Sequence, residues 1–177
     1  MLTNNRYIIT GAPGTGKTTI IDALNEKGMF CNGEISRSII QEQLDNGGDA
    51  LPWKNLPAFS KRVIDLRAQQ HQSAPENEPS FFDRGIIDVL AYMDKDKLPV
   101  PEHWISMAKK HAYNTTVFIA PPWEAIFTND EERKETFDVA QEIHVFLCNT
   151  YQKYGYTLIE IPKATVEERI AFLLKSI

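Results

Sequence analysis

An α/β architecture, a mostly parallel sheet covered by helices on both faces, is what this sequence predicts. Three observations carry that prediction: five short runs are apolar or β-branched, helical periodicity fills the intervals between them, and the first run enters a helix through a glycine-rich turn.

The first strand is expected over Arg6–Thr10 (RYIIT), with a helical pattern from Thr18 to Lys27. A weaker strand signal lies in GMFCN, Gly28 to Asn32. In GEISRSIIQEQL the residues Ile35, Ile39, Ile40 and Leu44 then keep helical spacing. Asp45 to Pro57 carries turn residues throughout and reads as a loop, after which Phe59, Val63, Leu66 and Gln70 share one helical face. Ser73 to Pro79 breaks the chain. SFFDRG, Ser80 to Gly85, reads as a buried strand ending in charge, followed by a helix from about Ile86 to Met93. TTVFIAPP, Thr115 to Pro122, is β-branched and stopped by two prolines, which makes it the clearest strand; YTLIEIP, Tyr156 to Pro162, is the last. Between these two, Phe137, Ala140, Ile143, Phe146, Leu147 and Tyr151 form an amphipathic stripe. Thr128 with Glu131, and Thr165 with Glu168, match the capping box, in which hydroxyl and carboxylate satisfy orphan donors at a helix start. In such a sheet, ligands bind at the carboxyl ends of the strands.

At 177 residues the chain suits one domain, residues 1–177. Its 19 Lys and Arg against 24 Asp and Glu give a formal charge of −5, so no broad basic face is expected to attract nucleic acid or an anionic membrane. Cys31 and Cys148 lie far apart without metal-ligand spacing and read as reduced core thiols, which points to the cytoplasm. No cationic leader precedes a long apolar stretch, and nowhere do about eighteen apolar residues run together, so neither secretion nor membrane spanning is expected.

The chemistry begins in TGAPGTGKTT, where Gly11, Gly16, Lys17 and Thr18 meet the spacing G-x-x-x-x-G-K-[ST] of a phosphate-binding loop. The residues Gly11, Ala12, Pro13, Gly14, Thr15, Gly16, Lys17, Thr18 and Thr19 are the expected nucleotide contacts. Backbone N–H groups of Gly14 to Thr18 would surround the β-phosphate, and the helix N-terminus adds a favourable dipole. Lys17 would neutralise β- and γ-phosphate oxygens, and the Thr18 hydroxyl would face magnesium. A strand before and a helix after supply the context the motif requires.

Asp83, closing an apolar strand, stands where a carboxylate would hold magnesium; an aspartate there is also a common turn residue. ATPases that activate water commonly carry a glutamate next, whereas Arg84 cannot act as a base. The guanine-specific N/T-K-x-D stretch is absent: after the fourth strand the chain reads APPWEAIF. The transporter-type ATPase signature, serine followed by two glycines and a glutamine, is absent too. Glu34 and Arg37 sit where the second strand should end. Phosphoryl transfer needs mainly positioning, charge neutralisation and one group to accept a hydroxyl proton, a role open to Glu34; the competing reading makes Glu34 a first-turn carboxylate favoured by the helix dipole. Glu131, Glu132, Arg133 and Lys134 read either as a lid over residues 127–135 whose cations close over the transferring phosphate, or as a solvated helix start. Trp53, Phe59, Trp104 and Trp123 suit core or rim positions, and His71, His103, His111 and His144 show no ligand spacing.

On GAPGTGKTT, GEISRSII, FFDRG, the segment PPWEAIFTNDEERKETFDVAQEIH and YGYTLIEIPKATVEERI, the sequence resembles the P-loop kinase group that includes nucleoside and nucleotide kinases. More closely, it resembles the ATPase-labelled AAA-domain family related to nicotinamide-riboside kinase domains. The resemblance implies a P-loop NTPase three-layer sandwich with a five-stranded parallel sheet of order 2-3-1-4-5. It also implies ATP and magnesium binding and phosphate transfer to a small hydroxyl-bearing metabolite. By the same resemblance, Glu34 matches the base after the second strand, and Asp83-Arg84 the D/E-R pair whose arginine lies near the acceptor. Arg133 matches a lid arginine, and Pro162 to Thr165 fall where adenine rests. The chain departs from nucleoside kinases at Gly85, where serine often follows the arginine. Three readings stay open at this point: a small-molecule kinase with ATP as donor, a slow ATPase or switch acting on a protein partner, and a protein that only holds nucleotide.

Overall fold

The computed structural model describes residues 4–127 and 136–177. Its strands are β1 (Arg6–Thr10), β2 (Phe30–Asn32), β3 (Ser80–Asp83), β4 (Thr116–Ile119) and β5 (Thr157–Glu160). They form one sheet in the order β2-β3-β1-β4-β5. Every neighbouring pair is parallel, with Ile9 beside Asp83 and Thr10 beside Ile119 in register. This is the order the resemblance implies. The helices among the described residues are α1 (Lys17–Glu26), α2 (Ser36–Asp45), α3 (Leu56–Ser73), α4 (Ile86–Lys95), α5 (Glu102–Lys110), α6 (Phe137–Lys153) and α7 (Val166–Lys175).

Because successive strand residues point to opposite faces, a sheet buried on both sides has two cores. Tyr7, Ile9, Phe81 and Phe118 pack with Ile20 and Leu24 of α1 and Leu173 of α7. Ile8, Phe82, Val117 and Ile119 pack on the other face with Val63 of α3, Leu90 of α4 and Leu147 of α6. Each such side chain contributes about 1.5–3 kcal/mol when fully buried, so the continuous apolar runs of β1, β3 and β4 are what hold the three layers together.

Differences from the sequence expectation are local. Helix α3 starts at Leu56, inside the expected loop, because the Asn55 side chain accepts a hydrogen bond from Ala58 N at 3.2 Å and Pro57 fits a first helical turn. Helix α5 was not expected; it begins directly after Pro101 and buries Trp104 and Ala108, which keep i, i+4 spacing. The start of α6 is capped by Thr136, whose hydroxyl accepts from Val139 N at 3.3 Å. The Thr128/Glu131 pair lies outside the described residues. The Thr165/Glu168 box is formed: Thr165 Oγ1 accepts from Glu168 N at 3.3 Å, and Glu168 Oε2 accepts from Thr165 N at 3.0 Å. Among the described residues, no helix is long and apolar enough to cross a membrane.

Candidate active site

The loop between β1 and α1 uses backbone conformations that only glycine enters without strain. Gly11 has φ +145°, and a Cβ on it would meet the Ala120 carbonyl oxygen at 2.5 Å; Gly16 has φ +78°, and a Cβ there would lie 2.8 Å from Arg169 Nη1. The loop therefore closes tightly against β4 and α7. Lys17 is buried, its Nζ donating to Ala12 O at 2.8 Å and to Thr15 Oγ1 at 3.4 Å, while Thr15 Oγ1 donates to Ala12 O at 2.9 Å. Thr18 and Thr19 are exposed in the first turn of α1.

A further arginine secures this loop. Arg169 of α7, 3% exposed, donates from Nη2 to Thr15 O at 3.1 Å. Desolvation pushes its pKa below that of an ordinary arginine. The sequence reading missed it because it lies within a charged helix start, and only the contact with a loop 154 positions away reveals its place.

Asp83 ends β3 beside the loop with both carboxylate oxygens buried and, among the described residues, no hydrogen-bond partner. Burial, the largest influence, raises its pKa, and Glu34 raises it further, while Lys17, Arg84 and Arg67 act in the opposite direction. A folded-state pKa above the unfolded one means that stability falls as pH rises through it. Asp83→Asn is thus expected to raise the melting temperature of the ligand-free protein near neutral pH, on the order of 1 kcal/mol or roughly 2–4 °C for a chain of this length. A lower melting temperature in that variant would show that the carboxylate is structural. No group of three or more His, Cys, Asp or Glu side chains among the described residues could hold a metal ion by itself. One orphaned carboxylate and a first-turn hydroxyl instead fit a magnesium ion that brings its other ligands as phosphate oxygens and water.

Arg84 follows in the left-handed region, φ 71°, costly for a residue with a Cβ and therefore held by its surroundings. Its N–H donates to Ile9 O at 3.0 Å, and its carbonyl accepts from Arg67 Nη1 at 2.8 Å. The guanidinium lies 3.2 Å from Asp88 Oδ1 and 3.8 Å from Glu34 Oε1, with Cζ 5.7 Å from the Tyr92 ring centroid. Burial alone would lower its pKa, but Tyr92, Asp88, Glu34 and Asp83 together raise it above the usual arginine value. Glu34, just past β2, also lies 3.8 Å from Arg37 Nε. The structure thus brings Glu34, Arg37, Asp83 and Arg84 to one end of the sheet, as the sequence reading expected.

Asp88 and Arg67 were not singled out in the sequence. Asp88 Oδ2 accepts from Gly85 N at 2.7 Å and from the Tyr151 hydroxyl, and Oδ1 accepts from Thr10 Oγ1, so one carboxylate caps α4 and braces Arg84. Arg67, 1% exposed, donates from Nη1 to the carbonyls of both Asp83 and Arg84 at 2.8 Å. Arg67 sits on a helix where an ionic residue reads as solvated, and its long-range partners alone mark it, whereas Asp88 carried a local signal as the lone carboxylate at the third position of an apolar helix start. Gly85 also finds a reason, since a Cβ there would fall on Ile8 Cδ1.

At the opposite side of the loop Pro162 is half-buried after β5, and the exposed Thr165 spends its hydroxyl on the α7 cap. Arg133 and Lys134 lie outside the described residues. A cavity of about 790 Å³ runs from Pro13 past Glu34, Arg84 and Asp88 to Phe59 and Trp53. That volume lies within the range of small-molecule sites.

The fold is shared with solved nucleotide-handling enzymes. Deoxyadenosine kinase from M. mycoides with bound dATP superposes with a TM-score of 0.60 at 16% identity, covering 97% of this chain and 98% of that one. Thymidylate kinase from Ehrlichia chaffeensis gives 0.60 at 15% identity with 98% of each chain covered, and that of Candida albicans 0.55 at 14% identity with 98% and 91% covered. No curated protein sequence matches this chain. The profile of the family described as AAA domain matches residues 6–169, nearly the whole chain. The chain belongs to that AAA domain family, with a five-stranded parallel sheet in the order of these P-loop kinases.

Proposed function

We propose that the protein is a small-molecule kinase that moves the γ-phosphate of ATP to a hydroxyl of a nucleoside-like metabolite. The observation that carries this reading is the cavity joining Pro13 of the phosphate loop to Glu34 and Arg84. A switch acting on a protein partner has no need of a small-molecule cavity beside its phosphate loop, so the cavity favours the kinase over the ATPase or switch reading.

In this reading the loop backbone and Lys17 hold the β- and γ-phosphates, and Arg169 keeps the loop in shape through Thr15 O. Asp83 and Thr18 would hold magnesium, whose chemistry is to neutralise charge on the phosphate oxygens. Glu34 takes the proton of the attacking hydroxyl, a bond forms between that oxygen and the γ-phosphorus, the bond to the β,γ-bridging oxygen breaks, and ADP leaves. Arg84, held between Glu34 and Asp88, orients the acceptor end. Arg37 flanks Glu34, and Pro162 to Thr165 border the adenine. Arg133 is assigned to the same phosphate from the sequence alone. The setting is the cytoplasm.

ATP with magnesium should raise the melting temperature, since a ligand at about a hundred times its Kd adds about 2.7 kcal/mol. GTP should do no better; a shift with GTP alone would remove ATP as donor. Arg169→Ala should raise the KM for ATP about tenfold, the scale of one hydrogen bond to a charged group, with Arg169→Lys partly restoring it. An unchanged KM would remove Arg169 from the loop's support.

A further inference from the structure

We propose that the acceptor is an uncharged alcohol carrying a flat ring, and that its phosphate monoester is refused; this rests on the kinase reading above. The formally charged side chains lining the cavity among the described residues are Glu34, Arg67, Arg84, Asp88, Lys95 and Asp96, three cations against three anions. Arg84 and Lys95 already have carboxylate partners. Arg84 lies 3.2 Å from Asp88 and 3.8 Å from Glu34, with all three side chains at most 7% exposed. Lys95 Nζ lies 3.6 Å from Asp96 and 3.8 Å from Glu142. Arg67, 1% exposed, donates from Nη1 to the carbonyls of Asp83 and Arg84, and its buried Nε has no hydrogen-bond partner among the described residues.

A phosphate monoester brings close to two negative charges and binds where cations outnumber anions. Here it would enter beside the buried carboxylates of Glu34 and Asp88, where like charges repel more strongly than in water. Among the described residues, the lining carries no net positive charge to offset that cost. An uncharged hydroxyl requires none, and finds Glu34 to receive its proton.

The remaining wall sets the body of the acceptor. Ile40, Leu56, Val63, Val89 and Val139 make it apolar, and Trp53, 61% exposed, lines the same space. A tryptophan this exposed is poorly used as core, whereas its ring can cover the face of a second ring. Among the described residues the lining contains no asparagine or glutamine, so the ring is recognised by its face and thickness and its edge pattern is tolerated.

The test offers the full chain, with ATP and magnesium, four matched pairs: thymidine and thymidine monophosphate, cytidine and its 5′-monophosphate, adenosine and its 5′-monophosphate, guanosine and its 5′-monophosphate. ADP formation and phosphoester product are both measured. The expected result is turnover of at least one nucleoside with kcat/KM about a hundredfold above that of its monophosphate, and a nucleoside KM that stays within about twofold when salt is raised, because the acceptor carries no charge to screen. Trp53→Ala should raise that KM about tenfold with an unchanged melting temperature, the scale of one lost ring stack. A monophosphate preferred over its nucleoside overturns the inference and leaves the kinase reading standing. No acceptor-dependent ADP from any of the eight compounds overturns both.

Discussion

Lys17→Ala is expected to lose at least ten- to hundredfold in ATP affinity while its melting temperature moves only a few degrees. The lysine is buried at 4% exposure, with Nζ enclosed by Ala12 O and Thr15 Oγ1, so it already sits inside the loop that is to receive the phosphates. Each charge-assisted hydrogen bond it supplies to a phosphate contributes about 1.5–3 kcal/mol, and each 1.4 kcal/mol is a factor of ten. The effect on the ligand-free fold is small because a buried ammonium is costly to desolvate and its loss offsets part of what its contacts contribute. Calorimetric titration with ATP and magnesium checks this. Equal affinity in parent and variant would mean that the loop does not hold the triphosphate.

Glu34→Gln is expected to bind ATP normally and to lose about a hundredfold or more in transfer to the acceptor, the usual scale for removing a general base. Glutamine keeps the size of the side chain and removes only its basicity and charge. Arg84 retains Asp88 at 3.2 Å and its carbonyl stays tied to Arg67, so the guanidinium has no reason to leave its place. Background hydrolysis should change much less, because no acceptor proton is involved. Transfer as fast as in the parent would return Glu34 to the role of a first-turn helix carboxylate.

The layers of this fold were legible because β1, β3 and β4 are buried on both faces and read as unbroken apolar runs. The phosphate loop was legible because Gly11 and Gly16 occupy conformations that restrict residue choice. Glu34 and Asp83 could be placed since Asp83 closes β3 and Glu34 follows β2 by two residues, and parallel strands end on the same side. What the sequence could not display were partnerships between distant segments. Arg67 meets β3 over 16 and 17 positions, Tyr151 meets Asp88 over 63, and Arg169 meets the loop over 154; in each case one charged or polar residue on a helix has no local signature. Helix α5, by contrast, was legible and passed over: Trp104 and Ala108 keep i, i+4 spacing directly behind Pro101. The charge balance of the cavity is likewise a property of assembly, drawn from α3, α4 and the segment after β2.

The central claim is that the γ-phosphate leaves ATP for a hydroxyl of a small molecule. Phosphorus NMR of ATP, magnesium and the protein, with and without a mixture of nucleosides, observes the destination of that phosphate directly. The account predicts a new phosphomonoester resonance whose growth matches the loss of ATP and which is absent without the nucleosides. Inorganic phosphate as the sole product, formed at the same rate with and without them, would contradict it.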